Sequence, residues 1–335
     1  MVANATEQPY PGTFKVTSQA EVHDILHRNG DKHKYILKSI ALDDLARVYM
    51  DILPRQTPSQ THDHVSKLPI SEKSPWVLQQ YVQGEEYCTH SIVIDGKVKI
   101  FTACPSSELV IHYQPLPASS PLYQAFYLFT RNFAAKAGVG FTGHLSFDFI
   151  VEEKLVDGMI QKKIYPIECN PRTHTAVVLF SGVKGSQDMV DGYLGVFKES
   201  NDTVMDVTRK ALGRPLANHN VDHPDEGSVD KIEDVPHPEE AYPGHYWIGN
   251  DVVTLLLLPL YRLMTWKLDW RTCLEQIATF FNHAVFWKDA TYELWDPLPW
   301  WFLYHVYWPG QFLACAVTGK RWSRVNVSTK RILTC

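Results

Sequence analysis

The chain has 335 residues, 45% hydrophobic and 21% charged, with a formal net charge of −5. This is material for one large or two ordinary domains with a substantial core, and the acidic balance leaves no electrostatic footprint for nucleic acid. The opening MVANATEQPYPG lacks the apolar run of a secretory signal. The six cysteines (Cys88, Cys104, Cys169, Cys273, Cys315 and Cys335) form neither a CxxC nor a Cys/His cluster at zinc spacing, so they read as reduced thiols of a cytoplasmic protein.

In chain order, TSQAEVHDIL predicts a capped helix, with Ser18 at the N-cap and Glu21 three residues on. KYILKSI and WVLQQYV read as strands, and CTHSIVIDGKVKIFTA as a hairpin turning at Asp95-Gly96. PLYQAFYLFTRNFAAKAG has helical periodicity and ends on a C-cap glycine, Gly138. GHLSFDFIV and KKIYPIEC read as strands separated by VEEKLVDGMIQ. Residues 198–245 are polar and read as a linker or long surface loop. Residues 246–335 hold nine of the ten tryptophans. Three readings fit that tail, in this order: a helical layer packed on the core, an interfacial membrane contact, and a membrane span. Residues 252–264 are too short to span, and 298–318 have the length but contain His305, Pro309, Gly310 and Gln311.

The chemistry concentrates in 165-YPIECNPRTHTAV-177. In LSFDFIV, Leu145, Phe147, Phe149 and Val151 share one strand face and Asp148 takes the other; in the next strand Glu168 and Asn170 share a face opposite Cys169. A simple hairpin turning near Asp157-Gly158 sets Asp148 across from Glu168, with about 5 Å between their Cβ atoms; a bulge shifts this by one residue. Facing carboxylates repel unless a cation or proton lies between them. With the Asn170 carbonyl they make an all-oxygen donor set, which suits Mg²⁺ or Mn²⁺ rather than zinc. Arg172 is placed to clamp a phosphate or carboxylate. The structural alternative is a solvated strand end in which Glu168 pairs with Arg172. His174 and His90 have two readings each, substrate positioning or base, against a ring bonded to the backbone.

ECNPR resembles the E-x-N-P-R strand end of the ATP-grasp superfamily, and Asp148 matches the acid of the preceding strand. Upstream, Lys38 in YILKSI resembles the nucleotide-binding lysine of that family's lid. VLQQYVQGEEYCTHSIV resembles its hinge and following strand, with Gln79 and Gln80 at usually acidic positions. The resemblance implies an α+β ATP-grasp fold, in which two subdomains hold nucleotide between antiparallel sheets. Residues 1–90 would be the lid and hinge, and 91–197 the large subdomain with the metal site. Residues 198–245 would be the polar linker, and 246–335 an aromatic-rich, mostly helical extension. It implies that the hinge around Gln80, Tyr81 and Val82 reads adenine, that Glu86 accepts from the ribose, and that Lys38 reaches the phosphates. Asp148, Glu168 and Asn170 would hold Mg²⁺ or Mn²⁺ on ATP, and Arg172 would steady the transferred phosphoryl group.

A narrower resemblance over about residues 10–180 is to the carbamoyl-phosphate-synthase-like ligases that form mycosporine-glycine. There Arg47 matches a basic residue near the phosphates. It implies phosphorylation of a carboxylate or enol oxygen and displacement of phosphate by an amine such as an amino acid. The family's N-terminal nucleotide-fold-like domain is expected to be absent, because KYILKSI begins by residue 34. Three readings of the chain follow: a piece of a longer protein, a protein completed by a partner, or a non-catalytic relative. The oligomeric state is not indicated.

Overall fold

The computed structural model describes residues 11–29, 32–40, 51–106, 112–156, 158–211, 235–238, 244–319, 322–326 and 331–334. Arg47 and Asp157 therefore lie outside the described residues. The chain divides into two units. One comprises Glu7–Glu86 and Phe149–Glu168, the other chiefly Tyr87–Asp148 and Cys169–Cys335.

In the first unit, β1 (Thr13–Val16), β2 (Tyr35–Ser39) and β3 (Trp76–Gln80) form an antiparallel sheet in the order β1-β3-β2. Period-two alternation turns Tyr35 and Leu37 of β2 and Trp76 and Leu78 of β3 into a buried core, with Val22 and Leu26 of α1 (Gln19–Asn29) and Val65 of α2 (Pro58–Ser66). Each such aliphatic or aromatic side chain contributes about 1.5–3 kcal/mol on burial. The opposite face is left to Ile36, Lys38, Val77 and Gln79, with Lys38 paired to Val77. The expected cap is found: Ser18 Oγ accepts from the Glu21 amide at 3.2 Å. Glu21 in turn accepts from the Thr17 amide at 2.7 Å, one residue further back than in the standard capping box.

The second unit is built on β4 (Glu85–Ile94), β5 (Lys97–Pro105), β6 (Gly143–Val156) and β7 (Met159–Asn170), in the order β5-β4-β6-β7. Of the β6–β7 hairpin, Phe149–Glu168 belong to the first unit. Asp95 (φ 47°) and Gly96 (φ 76°) join β4 to β5 in the predicted two-residue turn, with Ile94 opposite Lys97. α3 (Pro121–Ala137) covers one sheet face. Its Tyr123 and Tyr127 meet Phe101 edge-on, and its Phe129 meets Phe147. Ser120 Oγ caps it on the Tyr123 amide, and Gly138 ends it at φ 81°, as expected. Against the other face lie Phe180 of a 3₁₀ turn (Thr175–Phe180) and Met189 of α4 (Gly182–Ala211), which pack on Ile92, Ile94 and Ile100.

Two expectations change. VEEKLV and MIQ are not a separating segment; β6 and β7 extend through them to a tight turn at Gly158, because a hairpin gains a ladder hydrogen bond wherever pairing continues. The polar stretch from residue 198 begins as the last turns of α4, which runs to Ala211. Residues 212–234 and 239–243 of it lie outside the described residues.

The tail is mostly helical, as expected. α5 (Ile248–Asp251) and α6 (Leu258–Met264) join through a π-helical stretch, Val252–Leu257. α7 (Trp270–Phe286) follows, then α8 (Leu298–Phe302) and α9 (Trp308–Thr318), which join through Leu303–Tyr307 in the same way. β8 (His245–Tyr246) and β9 (Lys288–Asp289) pair in parallel, and β10 (Trp322–Asn326) with β11 (Arg331–Thr334) antiparallel. Trp247 and Trp308 are buried in mutual contact, whereas Trp266 and Trp295 are 96% and 82% exposed. Among the described residues no helix is long and apolar enough to cross a membrane, which removes the spanning reading of 298–318.

Within the first unit, Gly84 packs so closely on the β6 backbone that a Cβ would lie 2.1 Å from the Val151 carbonyl oxygen. Gly84→Ala should lower the unfolding free energy by about 1–3 kcal/mol. Gly310→Ala, within α9 and with open space around it, should instead raise it by about 0.4–1 kcal/mol. Denaturant titration of both variants checks this.

Candidate functional site

The strand ends of β6 and β7 deliver part of the predicted metal set. Phe147, Phe149 and Val151 are buried and Asp148 is half-buried on the opposite face, as the alternation predicts. Asn170 Nδ2 donates to Asp148 Oδ2 at 3.1 Å. Buried Ser146, two residues back on the same face as Asp148, donates to the Asn170 carbonyl at 3.3 Å. The Ser146 contact suits a hairpin in which 146 faces 170. Glu168 is exposed, two residues before Asn170 on β7 and, by alternation, on its face.

The donor chemistry fits a hard divalent cation. Asp148 offers carboxylate oxygens, and Asn170 turns its NH₂ toward them. Rotating the terminal amide by 180° replaces that donor with Oδ1 and leaves only oxygen on this side, as Mg²⁺ or Mn²⁺ requires. Pro171 ends the strand, and the Arg172 amide donates to the Asn170 carbonyl at 2.8 Å in a tight turn. The Arg172 guanidinium is exposed and rests on the Thr173 carbonyl at 3.4 Å, so the Glu168–Arg172 pair of the alternative reading is not the contact it makes.

The predicted hinge is placed as follows. The Gln80 amide donates to Gly12 at 2.7 Å and the Tyr81 amide to Lys34 at 2.7 Å. The Gln80 side chain accepts from Gly12 N at 3.2 Å and meets His33 Nδ1 at 3.3 Å. Two of the three hinge amides, with the Gln80 carboxamide, therefore serve the sheet. Val82 is the hinge position whose N–H is not committed to Gly12 or Lys34. Its side chain is buried while Tyr81 is exposed, which leaves Tyr81 the freer wall for a planar ring. Glu86 is exposed at the start of β4, and Lys38 is half-buried on β2. Gln79 is buried and donates to the Ile167 carbonyl at 3.5 Å.

The two histidines take the structural reading. His174 N-caps the 3₁₀ turn, with Nδ1 accepting from the Ala176 amide at 3.1 Å, and its own amide donates to His90 Nδ1 at 3.3 Å. His90 is fully buried and stacks on His144. Burial first, then neighbouring His144 and His174, pull its pKa down to about 3. Sequence reasoning did not anticipate Tyr113, whose hydroxyl meets Thr175 Oγ1 at 2.5 Å, nor Ser146. Only contacts made by folding mark either residue. Asp251, buried in the tail against His283 at 2.6 Å, was also missed.

No family model matches the chain, and no curated protein matches it. Among solved structures it is similar to an N5-carboxyaminoimidazole synthetase from Staphylococcus aureus complexed with ADP (10% identity, TM-score 0.36, 52% of this chain and 43% of that one). It is also similar to a carboxyaminoimidazole ribonucleotide synthase from Aspergillus clavatus complexed with ATP (14% identity, TM-score 0.36, 52% and 43%). A third is the ATP-grasp ligase PsnB complexed with precursor peptide and AMPPNP (12% identity, TM-score 0.32, 57% and 48%). The chain spans less than half the length of each of these three, and TM-scores this low assign no family.

The pKa of His90 gives a pH dependence with a fixed sign. Between about 3 and its ordinary value of 6.5 the unfolded chain binds a proton there that the folded chain does not, so stability falls as pH falls through that window. His245, lowered to about 4 chiefly by burial, acts in the same direction. The full slope approaches about 1.4 kcal/mol per pH unit per histidine. Urea titrations from pH 7 to 4.5 should show a shallower fall for His90→Gln than for the unaltered chain, with the His245 part remaining.

Proposed function

We propose that this chain is an ATP-grasp-type ligase that forms a C–N bond at the expense of ATP. A carboxylate or enol oxygen of a small acid takes the γ-phosphoryl group and ADP leaves. An amine nitrogen then attacks the activated carbon, phosphate departs with the C–O bond, and the amine gives up a proton. The observation that carries this reading is the Asn170–Asp148 contact at the ends of β6 and β7, with Glu168 on the same face of β7. It joins the ordered series of Lys38, the hinge, Glu86, Asp148 and E-x-N-P-R along the chain.

Each residue has a task set by its chemistry. Asp148, Glu168 and Asn170 would hold Mg²⁺ or Mn²⁺, which neutralises phosphate charge when bound. Lys38 offers a point charge to phosphate oxygens. The Val82 amide and the Tyr81 ring would meet adenine, and the Glu86 carboxylate would accept from ribose hydroxyls. Arg172 must leave the Thr173 carbonyl to face the transferred phosphoryl group; its exposure permits that. Arg47 would add a phosphate contact. The acceptor class that fits the narrower resemblance is a cyclic enol with an amino acid as the amine.

A second reading, nucleotide binding without turnover, is favoured by the hinge amides already bonded within the sheet and by the present position of Arg172. Calorimetry with Mg²⁺ and AMPPNP, and phosphate release with ATP and candidate acids and amines, separate the two. The ligase reading expects binding that weakens about 10- to 100-fold in Lys38→Ala and Glu168→Gln, the loss of one charge-assisted contact each. It also expects amine-dependent phosphate release that Arg172→Ala abolishes. Binding without release supports the second reading, and absence of binding overturns both.

A further inference from the structure

Far along the chain from the strand-end carboxylates, three residues widely separated in sequence meet in the tail: His112, Asp251 and His283. Their ligand atoms, one ring nitrogen from each histidine and one carboxylate oxygen, all lie within 4.8 Å of one another. Asp251 is 2% exposed and His283 7%, and His112 is half-buried. His283 Nδ1 lies 2.6 Å from Asp251 Oδ2. Trp287 walls the cluster, with ring centroids 4.3 Å from His283 and 4.7 Å from His112; the two imidazoles are 5.0 Å apart at 67°.

The backbone explains the convergence. Tyr113 and His245 exchange two main-chain hydrogen bonds of 2.8 Å, which fixes His112 beside the chain that enters α5, where Asp251 is the last residue. The Lys288 amide donates to Gly244 at 3.0 Å and the Trp287 amide to His283 at 2.9 Å, which draws the end of α7 to the same place. Asp289 Oδ2 accepts from the Ile248 amide at 3.1 Å and secures the start of α5. Each of the three ligands thus stands on a differently anchored segment.

We propose that His112, Asp251 and His283 bind a divalent transition-metal ion, with zinc as the representative. A hydrogen bond accounts for Asp251 and His283 alone. A second imidazole, that of His112, also places a ring nitrogen within 4.8 Å of a carboxylate oxygen of Asp251 and of a His283 nitrogen. Two imidazole nitrogens and one carboxylate oxygen form a borderline donor set, suited to Zn²⁺, Co²⁺ or Fe²⁺ and ill suited to Mg²⁺ or Ca²⁺. Zinc bonds of about 2.0–2.1 Å place tetrahedral ligand atoms roughly 3.3 Å apart. The observed separations, from 2.6 Å to no more than 4.8 Å, bracket that value. Three protein ligands leave a fourth position for water, as in open zinc sites. The carboxylate's other oxygen lies 3.4 Å from Asn250 Nδ2, a supporting contact of the kind that orients metal ligands. The bound ion would tie α5 and α7 to the segment preceding Tyr113.

The test uses the full chain freed of metal by a chelator, titrated with Zn²⁺ against a chromophoric competitor and with Co²⁺ by visible absorption. One Zn²⁺ per chain is expected, with a tetrahedral-type Co²⁺ spectrum and a Zn²⁺-dependent rise in melting temperature. His112→Gln and Asp251→Asn should each weaken Zn²⁺ binding at least tenfold and remove the spectrum and the thermal shift. His305→Gln, a control at an exposed histidine outside the cluster, in the stretch Leu303–Tyr307 after α8, should change none of these. If Asp251→Asn fails to fold, His112→Gln decides alone. Failure of the unaltered chain to bind Zn²⁺, or binding of equal strength in His112→Gln, overturns the proposal.

Discussion

The hydrogen bond from the Asn170 amide to the Asp148 carboxylate ties β6 and β7 together, and a series of separate polar contacts follows it in the second unit. Ser146 braces the Asn170 carbonyl, and the Arg172 amide turns the chain back on that same carbonyl. Two residues on, His174 caps the 3₁₀ turn and bonds to His90, and Thr175 meets Tyr113. Tyr113 bridges to His245, and six residues past His245 is Asp251. A buried polar group without a partner costs more than its bond would contribute.

The apolar half of that unit follows a simpler rule. Alternation along β6 sends Leu145 and Phe147 to the α3 face, where aromatic rings meet edge-on. The same alternation sends Ser146 and Asp148 to the other face. One register thus provides the core and presents the carboxylate, and a one-residue slip would exchange the two.

How much of this was legible in the sequence varies with the range of the interaction. The Ser18 cap, the Asp95-Gly96 turn, the Gly138 stop and the faces of β6 were readable because each depends on residues a few positions apart. The run of α4 past residue 198 was not, because its polar residues share the composition of a loop. His90 and His174 declared their chemistry but not their use, which depends on a turn folding over the sheet. The His112, Asp251 and His283 cluster has no local spacing at all. Zinc spacings are recognisable when ligands share a loop or hairpin, and these three are brought together only by the Tyr113–His245 bridge and the ends of α5 and α7. The tail also divides in a way composition hides, with Trp247 and Trp308 inside and Trp266 and Trp295 outside.

The chain thus carries two donor sets of different character: an all-oxygen set at a strand end, suited to a hard cation on phosphate, and a set of two imidazoles and a carboxylate joining the tail to His112. The proposed function rests on the first. The most direct measurement is an experimental structure of the chain with Mg²⁺ and AMPPNP. The expected result is a metal ion about 2.0–2.1 Å from oxygens of Asp148 and Asn170, with Glu168 in its shell and the Asn170 amide turned to present Oδ1. Nucleotide bound with its metal elsewhere, or Asn170 still donating its NH₂ to Asp148 while nucleotide is present, would contradict it.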